Sequence, residues 1–421
     1  MVSPERRHPI DIVVSLCIVV VLAAVGVTVW WFSPARHTES VPASRDAPLV
    51  VDPEVAPERF VERWTARSAA SSVPQTAESV VLTGEDGVLA GRDPSTGRVL
   101  WRYQRDLRLC AISAWGSAST ALAVGVYQNS RGCGEVTTID AASGRRQGSR
   151  SSLADSTIRL VTDSGYMVSQ GPTRLETWGN NLVRGIEYGR VDSPVKPDVQ
   201  PHEGKLCLIH SSAIAGSRLA VIERCDNEPG FRLTVLGTTL DKDEKVTQYG
   251  SAIITSGTAQ PAPKIIAMST SGIAVYDGGG NSPEPRGAMV RQFDSDGAQL
   301  GDSSVVGPLA APADSVPTTR GGLTSYWTGM GTVILDSQTI RPLFQIPNTI
   351  GPGVVMGGQL LIPTRDGLTV RRSIDGTEVR RIPLSRNNYR GEAVLASVLG
   401  TMLYEQWGDT VHAYGAAPLD N

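Results

Sequence analysis

The chain has 421 residues, with 44 Gly, 27 Pro and a formal net charge of −3. That density of turn formers fits an all-β protein of many short strands. The charge leaves no basic footprint of the kind nucleic-acid phosphates require, so nucleic-acid binding is set aside.

From the N-terminus, residues 12–32 form a run of Val, Ile, Leu and Ala with no charged side chain. At about 1.5 Å per residue the run is long enough to cross a hydrocarbon core of about 30 Å. Trp30, Trp31 and Phe32 stand at one end, as aromatic rings at a headgroup layer do, and Arg6 and Arg7 precede the other. The pattern predicts a single-pass helix with residues 1–11 as a cytoplasmic tail and the rest outside the membrane. A cleaved signal would have a shorter apolar region followed by a small-x-small site, whereas Ser-Pro-Ala-Arg follows here. Residues 33–58 carry Pro34, Pro42, Pro48, Pro53 and Pro57 without apolar periodicity, which predicts a tether holding the following domain tens of Å above the bilayer.

Residues 59–418 carry the repeats. Asp93-Pro-Ser-Thr96-Gly97-Arg-Val-Leu-Trp101 reads as a strand ending at an aspartate, a turn through Thr-Gly, and a new strand closed by tryptophan. Pro94 presets the first corner, Gly97 permits the left-handed one, and the Asp93 carboxylate is placed to accept the turn amides. Asp140 to Gly144 is a second copy, and Asp294, Asp336 and Asp375 open weaker ones. Intervals of about 40–58 residues between such copies predict the stacked blades of a β-propeller. Dividing the region at about 40–45 residues per four-stranded blade gives eight blades. Seven is the alternative, with long insertions at 190–205 and 238–263. Within the first repeat the segment from Ser79 reads as the inner strand. Trp101 is expected to pack between blades. Arg59 to Trp64 precedes the first repeat and is expected to form the outer strand of the last blade, closing the ring.

Outside the apolar run the cysteines fall as Cys110 with Cys133 and Cys207 with Cys225, each separated by about one hairpin in a region read as exported. Four cysteines allow three connectivities, which the sequence alone does not choose between, and the sequential one, two local structural disulfides, suits hairpin-local strands. The spacing lacks the close Cys-x2-4-Cys pairs of a zinc site.

The segment 88–101, and less fully 136–144, resembles the tryptophan-docking repeat of the quinoprotein-like propellers, the group with the pyrroloquinoline quinone (PQQ) dehydrogenases and the BamB-type assembly factors. The resemblance implies a propeller fold. It also implies either an enzyme that holds its quinone with calcium, often over a disulfide of adjacent cysteines, or a scaffold. No adjacent cysteine pair occurs here. Asp294 to Gly297 lacks the later ligands of a calcium loop and reads as a turn. His202, His210 and His412 are dispersed, and there is no Gly-x-Ser-x-Gly elbow. No cofactor is expected. The sequence therefore predicts a non-enzymatic scaffold of the bacterial cell envelope, binding an envelope protein or a cell-wall polymer. The alternatives are a diverged PQQ- and calcium-dependent oxidoreductase and a ligand sensor.

Overall fold

The computed structural model describes residues 9–77, 79–116, 120–191, 199–202, 206–255, 261–280 and 287–417. A helix, Pro9–Phe32, comes first, and every residue in it is exposed. Eight antiparallel sheets follow. Their first strands are Gln75–Ala77, Leu109–Trp115, Arg159–Thr162, Cys207–Ala215, Lys264–Ser269, Thr318–Arg320, Val354–Met356 and Leu395–Leu399. We number the blades 1 to 8 in that order and call the strands of each a to d. Neighbouring a strands touch in seven of the eight gaps, all but that between blades 5 and 6, and that of blade 8 meets that of blade 1, so they line the axis. The chain is an eight-bladed β-propeller, and the seven-blade alternative falls.

The core explains why the ring holds. Instead of one hydrophobic centre there are eight apolar clusters, one in each gap between blades. Leu82, Leu89 and Trp101 of blade 1 meet Ile112, Tyr127 and Ile139 of blade 2. Ile266 and Tyr276 of blade 5 meet Tyr326 and Val333 of blade 6, and Trp64, Tyr404 and Val411 of blade 8 meet Val81 of blade 1. A strand buried on both faces against neighbours loses the simple in–out alternation, as in Leu323–Trp327, where every residue is buried. A ninth cluster, Trp327, Ala393 and Leu395 with Val73 and Val316, draws on blades 6, 8 and 1.

The ring is closed as the repeats imply. Phe60–Arg67 pairs with Thr410–Ala416 as the outer strand of blade 8, so the last blade is built from both ends of the domain and presents no open seam. In blade 1 the reading from Ser79 needs correcting, because Val80–Glu85 is the second strand and Gln75–Ala77 lies inside it. The stretch 238–263 is no insertion: it holds the turn Asp241–Lys245 and the outer strand Val246–Ile253 of blade 4. Much of 190–205 lies outside the described residues, as do Arg6 and Arg7.

Residues 33–58 differ most from expectation. Thr38–Val41 pairs with Val99–Arg105 as a fifth strand on the outside of blade 1. The amides of Ala43 and Ala47 donate to Ser143 O and Ala142 O on blade 2, at 2.9 and 3.0 Å. Asp52 then pairs with Arg320 of blade 6 at 2.5 Å, and Arg380 of blade 7 donates to Ala56 O and Pro57 O at 2.8 and 3.1 Å. The segment is a strap bound to the propeller. Only residues 33–37 separate the helix from the first paired residue, so blade 1 lies within about 20 Å of Phe32, not tens of Å beyond it. The sequence reading failed here because strand pairing at an edge uses backbone groups, and a Pro-rich composition conceals it.

Candidate functional site

Strands a to d run up and down the blade, so the a–b and c–d turns lie on one face of the disc, and the b–c turns and d–a connections on the other. We call these the lower and upper faces. The c–d turns of the lower face carry the docking repeat. In blade 1 Asp93 Oδ1 accepts from the Ser95 and Thr96 amides at 3.1 and 2.9 Å and from both hydroxyls at 2.9 Å. Burial alone would raise the Asp93 carboxyl, but these hydrogen bonds outweigh it and hold it below the ordinary carboxylate value. Asp140 accepts from the Ser143 amide and hydroxyl at 2.8 and 2.6 Å. Asp336 is held low first by the Thr339 amide, through a 2.6 Å hydrogen bond.

The tryptophan of one blade sits on the turn of the next. Trp101 is 1% exposed, and its Nε1 donates to Ala141 O at 2.8 Å. Beneath the ring lies Gly144, at φ 72°, where an added Cβ would fall 2.4 Å from Trp101 Cβ and Cγ. Trp64 of blade 8 repeats the contact on blade 1: its Nε1 donates to Pro94 O at 3.0 Å and its ring covers Gly97. Phe344 of blade 6 does so against Gly376 of blade 7. The weak copies hide a substitution, since in blade 6 Ile340 takes the left-handed place of Gly97, at φ 56°. Asp93, Thr96, Gly97, Trp101, Asp140 and Gly144 thus meet at blade-to-blade joints.

Both cysteine pairs are bonded, Cys110 to Cys133 and Cys207 to Cys225. The second links residues directly opposite on adjacent strands. The first joins the a and c strands of blade 2 at their upper ends, passing over strand b, so it is not hairpin-local in the sense expected. One cluster of metal-ligating type is present among the described residues, Cys207 and Cys225 with Glu223. Its sulfurs are joined to each other, so neither is a thiolate ligand. The Glu223 carboxyl is raised by burial against hydrogen bonds from Thr234 Oγ1 at 2.6 Å and Tyr188 OH at 2.8 Å. Asp294 caps its own turn and Asp296 pairs with Arg218, so the calcium-like pattern is used up in structure.

The two faces differ. On the lower face the strap runs from blade 2 to blades 6 and 7, which lie across the ring, and borders a cleft of about 600 Å³ lined by Val50, Asp52, Thr76, Arg320 and Ser373. The upper face is not covered by it. There Leu206 is 77% exposed, Val306 60%, Leu309 59% and Met330 54%. The last three lie together on blades 5 and 6, where Leu309 packs over Gly280 and Gly329 lies under Pro308 and Pro312. At the upper ends of the a strands of blades 3 and 5 stand two half-buried cations. Arg159 donates to Gln170 Oε1 and Ser212 O at 2.9 and 2.8 Å. Lys264 Nζ donates to Pro312 O and Ser315 O. Burial brings Arg159 down to about 10. Burial and the Arg159 charge bring Lys264 down to about 8, against the pull of Asp314. None of these was legible as a site, because blades 3 and 5 bring them near each other from positions 105 residues apart in a chain where both look like ordinary strand openings.

No family model matches the chain, and no curated protein matches it. Among solved structures it is similar to BamB from Moraxella catarrhalis, at 13% identity over 86% of this chain and 99% of that one, with a TM-score of 0.47. It is also similar to the computationally designed Ika8 protein, at 13% identity over 88% and 100%, with a TM-score of 0.50. A third is the dihydro-heme d1 dehydrogenase NirN in complex with DHE, at 13% identity over 80% and 73%, with a TM-score of 0.45. At such identities the likeness is one of fold alone, that of a β-propeller, and the eight sheets of this chain give it eight blades.

Proposed function

We propose that this chain is a non-enzymatic binding module of the bacterial cell envelope, anchored by Pro9–Phe32 with its N-terminus cytoplasmic, and that its upper face docks an envelope protein. The observation that carries this reading is the asymmetry of the faces. The chain's own strap occupies the lower one, while the upper one exposes Val306, Leu309 and Met330 together. Exposed apolar side chains grouped on neighbouring segments of a rigid disc fit a protein surface. The helix supports the anchor: its 24 residues make a rod of about 36 Å with every side chain exposed. The short connection to blade 1 keeps the propeller beside the membrane that this reading supplies.

The test places a photo-crosslinking residue at Leu309 or Met330 in cells, with Ile374, 83% exposed on a lower-face turn, as the control. One defined envelope protein is expected from the two upper-face positions and not from Ile374. Equal yields from all three, or none from the upper face, would sink the reading.

A further inference from the structure

We propose that Arg159 and Lys264 form a binding site for a small molecule bearing a carboxylate or phosphate group, at the upper ends of the axis-lining a strands of blades 3 and 5. Five other sheltered arginines, Arg150, Arg174, Arg232, Arg291 and Arg386, each pair with a carboxylate. This is the usual way a desolvated charge is tolerated. Arg159 and Lys264 have no carboxylate within 4.0 Å among the described residues, and their only acceptors are carbonyl oxygens. Arg92 and Arg380 also lack a carboxylate, but Arg92 closes its own turn through Thr83 Oγ1 and Gly97 O, and Arg380 holds the strap through Ala56 O and Pro57 O on the lower face.

The two cations keep donors free for a ligand. Arg159 uses Nε and Nη2 on protein acceptors and leaves Nη1 without one among the described residues. A guanidinium with one edge anchored and the other open is preorganised for an oxyanion. Lys264 is steadied by the two carbonyls and by the Tyr326 ring, whose centroid is 6.0 Å from Nζ. The charges that face it are Arg159 and the exposed Asp314, whose carboxylate accepts the Ala393 amide at 2.8 Å. The two half-buried cations therefore outnumber the one acid, and that acid is turned to solvent. Burial first, and then the Arg159 charge, lowers Lys264. Arg159 reaches Ser212 of blade 4, and Ser211 beside it accepts the amide of Ile265, which follows Lys264, at 3.1 Å. One short stretch of blade 4 thus carries both sides of the site. The inference goes beyond the docking of a protein partner and shares with that surface only Pro312, whose backbone carbonyl accepts from Lys264.

The test is calorimetric titration of the detergent-solubilised full-length protein with inorganic phosphate and with citrate, at constant ionic strength. Saturable binding of either is expected at pH 7, lost at least tenfold in Arg159→Gln and in Lys264→Gln, and kept in Arg92→Gln. Binding of phosphate alone would assign a phosphate-bearing ligand, and of citrate alone a carboxylate. With the ligand that binds, heats compared in two buffers at pH 8.5 report protons taken up as the anion raises Lys264. Uptake is expected in the wild type and not in Lys264→Gln, a difference that simple loss of structure would not make in the folded wild type. Binding of neither anion, equal binding in the Arg159 and Lys264 variants, or no proton uptake by the wild type would overturn the proposal. Crosslinking from Leu309 can succeed or fail independently of all three.

Discussion

Removing the Trp101 ring should reverse the effect of a second substitution made beside it. Gly91 stands opposite Trp101 in the sheet, and a Cβ added there would fall 2.2 Å from Cε2 and 2.3 Å from Nε1 of the indole. Gly91→Ala alone therefore overpacks a closed joint and should destabilise by about 1–3 kcal/mol. Trp101→Ala alone empties a site that is 1% exposed and strands the Ala141 carbonyl that the indole satisfied at 2.8 Å. A loss of about 3–5 kcal/mol is expected. In the double variant the methyl added at position 91 enters vacated space, and the backbone of Gly91 is not left-handed, so the second change should stabilise by about 0.5–1 kcal/mol. The coupling is then about 1.5–4 kcal/mol by difference. Guanidinium unfolding followed by far-UV circular dichroism on all four proteins measures it. Effects of Gly91→Ala that agree within about 0.5 kcal/mol in the two backgrounds would refute the docking argument.

Further outcomes follow from other parts of the ring. Lys264 titrates near 8 when folded and at 10.5 when free, so the unfolded chain holds more protons between those values and stability should rise with pH across that window. The rise is on the order of 3 kcal/mol, and Lys264→Met should flatten it; parallel pH profiles of melting for the two proteins would contradict this. Replacing Cys207 and Cys225 by serine opens a loop of sequence separation 18 and should lower stability by about 3 kcal/mol, read from guanidinium midpoints against the untreated parent. A chain starting at Thr38 keeps every propeller strand and should fold, whereas one starting at Ser68 loses Phe60–Arg67 and exposes the edge of Thr410–Ala416. Size-exclusion chromatography should find the first dispersed and the second aggregated. Glu223→Gln keeps the acceptors for Tyr188 and Thr234 while removing a buried carboxyl whose pKa is raised, so it should remove the loss of stability that occurs as pH rises above the ordinary carboxylate value, as melting profiles against pH would read.

The sequence alone determined the features that are local and repeated. An aspartate followed at fixed spacing by Thr-Gly and a tryptophan specifies a turn and a docking ring whatever surrounds it, and enough copies specify blades. Arg59 to Trp64 could be placed in the last blade because its tryptophan matches Trp101 in spacing, and Trp64 covers Gly97 as Trp101 covers Gly144. The cysteine pairs and the apolar run were equally legible. Where the pattern weakens, tertiary contact takes over: Ile340 is held left-handed in a place the repeat reserves for glycine, and packing, not propensity, keeps it there. The strap, the contrast between the faces and the approach of Arg159 to Lys264 were decided only by the ring. Pairing at an outer edge is made by backbone groups common to every residue. Neighbours on the axis are set by the angle between blades, which brings together residues far apart in a chain whose local patterns carry no trace of that distance.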